Sequence, residues 1–303
     1  MRDLIIIGAG PAGLASAIYG KRAGLDVLVI DESGIGGGQV VTTYEVDNYP
    51  GMPKINGMDL GESFKNHAVD CGAEFVEASV DGVEKNDGVF TLDTSEGKLQ
   101  AKTVIAATGA KHRQLLVPGE EELQGMGVSY CATCDGAFFK NRVVAVVGGG
   151  DVALEDALFL ARGCAKVYLI HRRDSFRGAQ VLVDKVKAAT NIEILYSSKI
   201  NKIVGEDSVE SIEVVGIKEE KVTNIEVNGV FIAVGMQPVS ELFEGFVDME
   251  SGYIIADESG VTSVDGFFVA GDLRTKKLRQ IITAAADGAN AATSASEYIN
   301  KMV

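Results

Sequence analysis

Leu4-Ile5-Ile6-Ile7-Gly8-Ala9-Gly10-Pro11-Ala12-Gly13 sets the fold of the segment it opens. Four apolar residues run into a glycine, the pattern G-x-G-x-x-G follows, and a helix-period segment continues past Gly13. That order predicts strand, tight turn and helix. Gly8 permits the turn, Gly10 lets backbone approach a pyrophosphate, and Gly13 lets the helix pack close to the strand, so that the helix N-terminus faces the phosphates. A second apolar run, Val27 to Ile30, ends at Asp31, an acid placed to accept hydrogen bonds from ribose hydroxyls. With both strands and the terminal acid in place, the stretch reads as a dinucleotide-binding unit and not as a chance glycine turn.

The pattern returns after Arg142 to Val147 as Gly148-Gly149-Gly150-Asp151-Val152-Ala153, followed by a helical segment and the strand-like Lys166 to Ile170. Where the first copy has Asp31, the second has His171-Arg172-Arg173, with Arg177 close behind. An acid there suits a free 2'-hydroxyl, whereas clustered guanidiniums suit a 2'-phosphate. The first copy is therefore expected to hold an adenosine without that phosphate, and the second to hold NADP. The alternative for HRRDSFR is a solvated basic loop.

Each copy continues into a polar meander and then an apolar strand closing on glycine, Lys102 to Ala110 in one and Asn228 to Met236 in the other. This is an internal duplication on the scale of a domain. A further strand pattern before Gly271-Asp272 and a long alanine-rich helix pattern complete the first copy. The expected fold is α/β, two Rossmann-like nucleotide-binding domains of three-layer ββα form with the second inserted into the first. Residues 1-116 and 244-303 form the discontinuous domain and 117-243 the insert, with connections near Leu116 to Gly119 and Glu241 to Gly245.

The 303 residues match about two average domains. A formal charge of -15, spread along the chain, disfavours nucleic acid and anionic membrane as partners. No apolar run approaches the roughly 20 residues that cross a bilayer. Four cysteines (Cys71, Cys131, Cys134 and Cys164) are too few for a secreted scaffold, and the opening MRDLIIIGAG leaves no room for a signal peptide, so a cytoplasmic location is expected.

Cys131-Ala132-Thr133-Cys134-Asp135-Gly136 can hold a metal, staple a loop or shuttle electrons. A zinc site needs four ligands, and Cys71, Cys164, His67, His112 and His171 show no paired ligand spacing; a half-site shared across a dimer stays open. A purely structural disulfide runs against a reducing compartment. Two residues between the cysteines suit a small ring that opens and closes, and such geometry can lower a thiol pKa. Asp135 reads either as a helix N-cap or as an acid and base beside the sulfurs. Cys71 and Cys164 read as small apolar residues at helix ends.

Taken together, GAGPAG, ATGA, CATCDG, GGGDVA, HRRDSFR and VAGDLRTKKLRQI resemble, in order and spacing, the low-molecular-weight bacterial-type thioredoxin reductases along essentially the whole chain. The resemblance implies FAD on the first domain, NADPH on the second, a homodimer, and reduction of the disulfide of thioredoxin. It places Gly8, Gly10, Pro11, Ala12 and Gly13 at the FAD pyrophosphate, Asp31 and Glu32 by the adenosine, and Gly38, Gln39 and Asn48 toward the flavin. Thr108 and Gly109 lie in the matching ATGA turn, Gly271 and Asp272 near the ribityl chain, and Arg279, Gln280 and Ile281 at the pyrimidine edge. For NADPH it implies Gly149, Gly150, Asp151, Val152, His171, Arg172, Arg173 and Arg177.

By the same resemblance, hydride passes from NADPH to flavin, and the electron pair then reaches a Cys131-Cys134 disulfide. Cys134 is the sulfur nearer the flavin, Cys131 attacks the partner, and Asp135 is acid and base. Because CxxC and NADPH share a domain while the flavin belongs to the other, rotation of the domains between half-reactions is implied. Val152, where relatives usually carry Ser or Thr, and Met236-Gln237 before Pro238 depart from the pattern near the nicotinamide nucleotide. They keep ferredoxin open as donor. A glutaredoxin-like acceptor, or a non-catalytic FAD-binding redox sensor, are the other readings.

Overall fold

The run Leu4 to Ile7 is apolar at every position because both of its faces are covered. In the computed structural model, which describes residues 1–43, 45–217 and 221–302, this run lies in a strand at the centre of a sheet. From Arg2–Ile7 (β1) the chain enters Pro11–Arg22 (α1), Val27–Asp31 (β2), Gly57–Asp70 (α2) and Glu74–Glu77 (β3). A meander of Val80–Asn86 (β4), Val89–Thr94 (β5) and Gly97–Ala106 (β6) follows. Strands β3, β2, β1 and β6 run parallel. The N-terminal half of β6 pairs antiparallel with β5, which turns one long strand from the meander into the central sheet.

Leu4 and Ile6 face a core shared with the first helix and the last helix, while Ile5 and Ile7 face a second core under the meander. The period of two thus sends alternate residues of one strand into two different cores.

The short strand Ala110–His112 (β7) leads out of this unit. Next come Val128–Ser129 (β8), the single helical turn Ala132–Asp135 (α3), Val143–Gly148 (β9), Asp151–Ala161 (α4), Lys166–Ile170 (β10), Gln180–Ala188 (α5) and Ile192–Leu195 (β11). A second meander, Ser198–Gly205 (β12), Val209–Gly216 (β13) and Val222–Glu226 (β14), precedes Gly229–Ala233 (β15). The order β11-β10-β9-β15-β8 is parallel throughout. Val144 and Val146 pack with α4 and α5 residues, and Ala145 and Val147 pack under the meander. The same three layers are built twice, as the duplication predicts.

Met236–Pro238 (β16) pairs with β7, so the two chain crossings run side by side. The chain clusters into one compact unit of residues 1–111 and 237–303 and another of residues 112–236, each division falling within these paired strands. The expected divisions, 116/117 and 243/244, lie slightly later in the chain. Met249–Glu250 (β17), Tyr253–Ile254 (β18), Phe267–Val269 (β19) and the long helix Ile281–Asn300 (α6) complete the first unit. Strand β19 joins the C-terminal half of β6 in parallel. No helix among the described residues is long and apolar enough to cross a membrane.

Candidate active site and cofactor cradles

In the first unit the glycine turn is dictated by space. A Cβ on Gly13 would lie 1.9 Å from the carbonyl oxygen of Gly8, and one on Gly8, whose φ is +103°, would lie 2.5 Å from the Ala107 oxygen. Only glycine admits so close a helix and strand. Helix α1 begins at Pro11 with Gly10 as N-cap and no side chain bonded to its first amides, which leaves those donors for a ligand. Across from Gly10, a Cβ on Gly38 would lie 3.1 Å from the Gly10 Cα, so bare backbone faces bare backbone.

Asp31 sits at the end of β2 as expected, yet its carboxylate is engaged within the protein. Oδ2 accepts from the Ala9 amide at 2.9 Å, and Oδ1 accepts from the Ser33 amide at 3.1 Å and its hydroxyl at 2.5 Å. Asp31 therefore shapes the glycine turn, while Glu32 beside it is exposed and makes no bond among the described residues. The Gln39 amide donates to the Ala110 carbonyl. Thr108 donates to the Val239 carbonyl at 2.5 Å, and Gly109, with φ +73°, has open space where a Cβ would stand.

Farther along this unit, Asn48 donates to the Gln280 side chain at 2.8 Å. Gln280 is the N-cap of α6 and closes a capping box with Thr283, so the helix starts at Ile281 with both residues fixed. Asp272 is largely buried, and desolvation holds its carboxyl above the usual carboxylate range, opposed by the charges of Lys276 and Arg279. Arg279 lies over the ring of Tyr253 at 4.3 Å. Asp272 Oδ1 and Arg279 Nε are buried without a partner among the described residues. Such atoms cost free energy unless a bound molecule meets them.

Sequence reasoning missed the cluster beneath them. Asp287 of α6 accepts from Arg274 at 2.9 and 2.7 Å, from Lys276 at 2.8 Å and from the Gly271 amide at 3.1 Å. The signal was an acid on the apolar face of an alanine-rich helix, which a buried position tolerates only when it is paired.

In the second unit, α4 begins at Asp151 with Gly150 as N-cap and no side-chain cap, and the space beside Gly150 is open. The loop that carries the arginines is tied to this turn. Its Arg177 amide donates to the Gly149 carbonyl at 2.9 Å, and the Ala179 amide donates to Asp151 Oδ1 at 2.6 Å. Arg172, Arg173 and Arg177 are exposed, and none pairs with a carboxylate among the described residues. His171 behaves differently. It is buried, its ring occupies the space where a Gly149 side chain would stand, and Nε2 meets the Ser175 carbonyl at 3.0 Å. Desolvation pushes its pKa down, so the neutral ring packs beneath the turn. Val152 is exposed on the first turn of α4.

On this second unit Cys131 and Cys134 form a disulfide with their Cα atoms 5.3 Å apart. Cys131 is the N-cap of α3, and its carbonyl accepts from the amides of Cys134 at 3.2 Å and Asp135 at 3.1 Å. Asp135 accepts from the Ser129 hydroxyl at 2.5 Å, and the Ser129 oxygen accepts from the Cys131 amide at 3.1 Å. Burial raises the Asp135 pKa and the Ser129 bond lowers it in part. The N-cap reading of Asp135 finds no support, because its side chain makes no capping bond to the helical turn after it. Cys71 ends α2, and Cys164 is buried in the second unit's core.

The description of pyridine nucleotide-disulphide oxidoreductases matches residues 2–288. The thioredoxin reductase of Listeria innocua is 44% identical over 99% of this chain and 94% of its own. The chain belongs to this family, among its thioredoxin reductases. Among solved structures, thioredoxin reductase from Streptococcus pyogenes is 40% identical with a TM-score of 0.94, covering 99% of both chains. That from Lactococcus lactis in the FR conformation is 38% identical, covers 99% of this chain and all of its own, and has a TM-score of only 0.69. As a thioredoxin reductase the chain is a flavoprotein disulfide reductase of the FAD and NADPH type. The residues fit that pair of cofactors: two helix N-termini lack side-chain caps, Asp272 and Arg279 carry buried orphan atoms, and the exposed Arg172, Arg173 and Arg177 lie on the loop tied to the second glycine turn.

Proposed function

We propose that this thioredoxin reductase carries electrons from NADPH to the Cys131-Cys134 disulfide and from there to the disulfide of a thioredoxin. The observation that carries the reading is the disulfide itself, formed on the unit that also bears the arginine-flanked glycine turn. Bound FAD supplies the two-electron carrier between nucleotide and disulfide.

The chain's own residues have the following work. The turn Gly8, Gly10, Pro11, Ala12 and Gly13 receives the FAD pyrophosphate, Glu32 takes the ribose hydroxyls, and Asp31 holds the turn in shape. Gly38, Gln39, Asn48, Thr108 and Gly109 border the cofactor, Gly271 and Asp272 meet its sugar chain, and Arg279 to Ile281 its ring edge. Gly149, Gly150, Asp151 and Val152 receive the NADPH pyrophosphate, Arg172, Arg173 and Arg177 hold its 2'-phosphate, and His171 supports them from below.

Opening the disulfide takes two electrons and two protons and leaves two thiols. Cys131 then attacks the partner disulfide as thiolate, giving a mixed disulfide, and Cys134 attacks Cys131 to release the partner as dithiol. Asp135, held by Ser129 in a half-buried place that favours its protonated form, gives and takes the proton. Because the nucleotide turn and the disulfide share one compact unit, the units turn relative to each other between the two half-reactions. The working form is a homodimer in the cytoplasm.

The test is anaerobic addition of NADPH to the FAD-loaded protein. Two new thiols per chain, their loss in Cys134→Ser, and thioredoxin-dependent precipitation of insulin are expected. Bleached flavin with no new thiols would overturn the reading, as would full thioredoxin turnover by Cys134→Ser. Ferredoxin as the donor is favoured only if NADPH in millimolar excess leaves the flavin oxidised.

A further inference from the structure

The residue before Cys131 is held by the segment with which the second unit begins. Tyr130 donates its hydroxyl to Glu120 Oε1 at 2.8 Å. The same carboxylate accepts from the amides of Leu115 at 2.8 Å, Leu116 at 2.7 Å and Val117 at 3.4 Å. Glu120 is 3% exposed, and no cation pairs with it among the described residues. A carboxylate in that position persists only because several donors converge on it. Its four donors come from two places: three from the segment just after the first chain crossing, and one from the residue that enters the redox turn.

The ring of Tyr130 is tied to the start of this unit a second time. His112, the last residue of β7, stacks on it with centroids 5.1 Å apart and planes 23° apart. The Gln114 side chain also reaches the Tyr130 hydroxyl, and burial together with Glu120 pushes that phenol well above its usual pKa, so it remains a donor. Burial lowers the His112 pKa, which keeps the stacked ring neutral. Leu116 adopts φ +58° with its side chain 83% exposed, a left-handed conformation that a leucine holds only when its surroundings require it. The bonds to Glu120 on Leu116 and its neighbours supply that requirement.

We propose that Glu120 and Tyr130 form a strut that fixes the Cys131-Cys134 turn to the segment that follows the first chain crossing, making them positioning residues for the disulfide step. The inference rests on the reading of Cys131 and Cys134 as the redox pair. A rigid tie at this point makes a change in that segment a change in where Cys131 stands. It also predicts that loosening the strut harms delivery of electrons to the disulfide and spares reactions that end at the flavin.

The experiment uses the FAD-loaded full chain and compares wild type, Tyr130→Phe and Glu120→Gln. Hydrogen exchange is measured on the oxidised proteins with no substrate present. In Tyr130→Phe the amides of Leu115 to Val117 and those of Cys131, Cys134 and Asp135 should lose protection together, while β9 amides stay unchanged. Turnover with thioredoxin should fall by roughly tenfold, the scale of one lost hydrogen bond to a charged group, with KM for thioredoxin unchanged. Flavin bleaching by NADPH, and NADPH oxidation by a quinone that accepts electrons from the flavin, should stay within about twofold of wild type. Glu120→Gln keeps the shape and an acceptor oxygen, so it should show the same pattern to a smaller extent.

Loss of protection at Leu115 to Val117 alone, or unchanged thioredoxin turnover, would sink the strut. Equal losses in bleaching and turnover would sink it too, since they mean general damage. Failure of wild type to form thiols is a different result: it removes the redox-pair reading, and exchange then judges the tie by itself.

Discussion

Asp135 and Ser129 show how a single hydroxyl sets the chemistry of a carboxyl group. Burial favours the protonated acid, and the Ser129 hydroxyl, bonding to the charged form, pulls the pKa back toward the ordinary range. Ser129→Ala removes the lowering influence and keeps the burial. The Asp135 pKa then rises, so the acid stays protonated to higher pH. The pH profile of thioredoxin reduction should move its acid-dependent limb to higher pH, while the profile of NADPH-driven flavin bleaching stays in place. An unchanged limb would show that another group handles the proton. At this scale the sequence was partly legible. It located Asp31, His171 and Asp135 by spacing, but spacing does not tell where a side chain points. Asp31 turned to the Ala9 amide and His171 to the space beside Gly149, because nearby donors and room in the core decided their directions.

At the scale of elements, the glycine turns were legible because their constraint is local: a Cβ at Gly13 has no room, and no distant residue changes that. The basic loop was legible as charge, and the structure adds how it is aimed. The Arg177 amide and the Ala179 amide fasten the loop to the Gly149 turn and to Asp151, so the loop that carries Arg172, Arg173 and Arg177 is anchored at the N-terminus of α4. If these arginines hold the 2'-phosphate as proposed, replacing Arg172 and Arg173 together by alanine should raise KM for NADPH by roughly tenfold or more while leaving KM for NADH nearly unchanged, because bonds to that phosphate are charge-assisted and NADH lacks it. Parallel loss with both nucleotides would mean the arginines serve the fold. The buried group of Arg274, Lys276 and Asp287 was not legible, since its members are brought together only when α6 packs against the turn at Gly271. The one local signal, Asp287 on the apolar face of α6, marks an acid that must be paired but does not name its partners.

At the scale of the molecule, duplication was visible as two glycine turns, two meanders and a leftover strand and helix. The units close on paired crossing strands, a contact between segments far apart in sequence that local patterns do not report. The proposed electron path needs the nucleotide turn and the disulfide, which share one unit, each to reach a flavin held by the other unit, so it requires the mutual orientation of the units to change within a cycle. Probes attached by non-cysteine chemistry at Glu96 in the first unit and Glu206 in the second, both exposed, report that orientation without touching the redox turn. Single-molecule energy transfer should resolve two distances whose populations shift as NADPH is added, and locking either one should stop thioredoxin turnover. One distance through a full catalytic cycle would exclude the rotation and require nucleotide and disulfide to be served from a single arrangement.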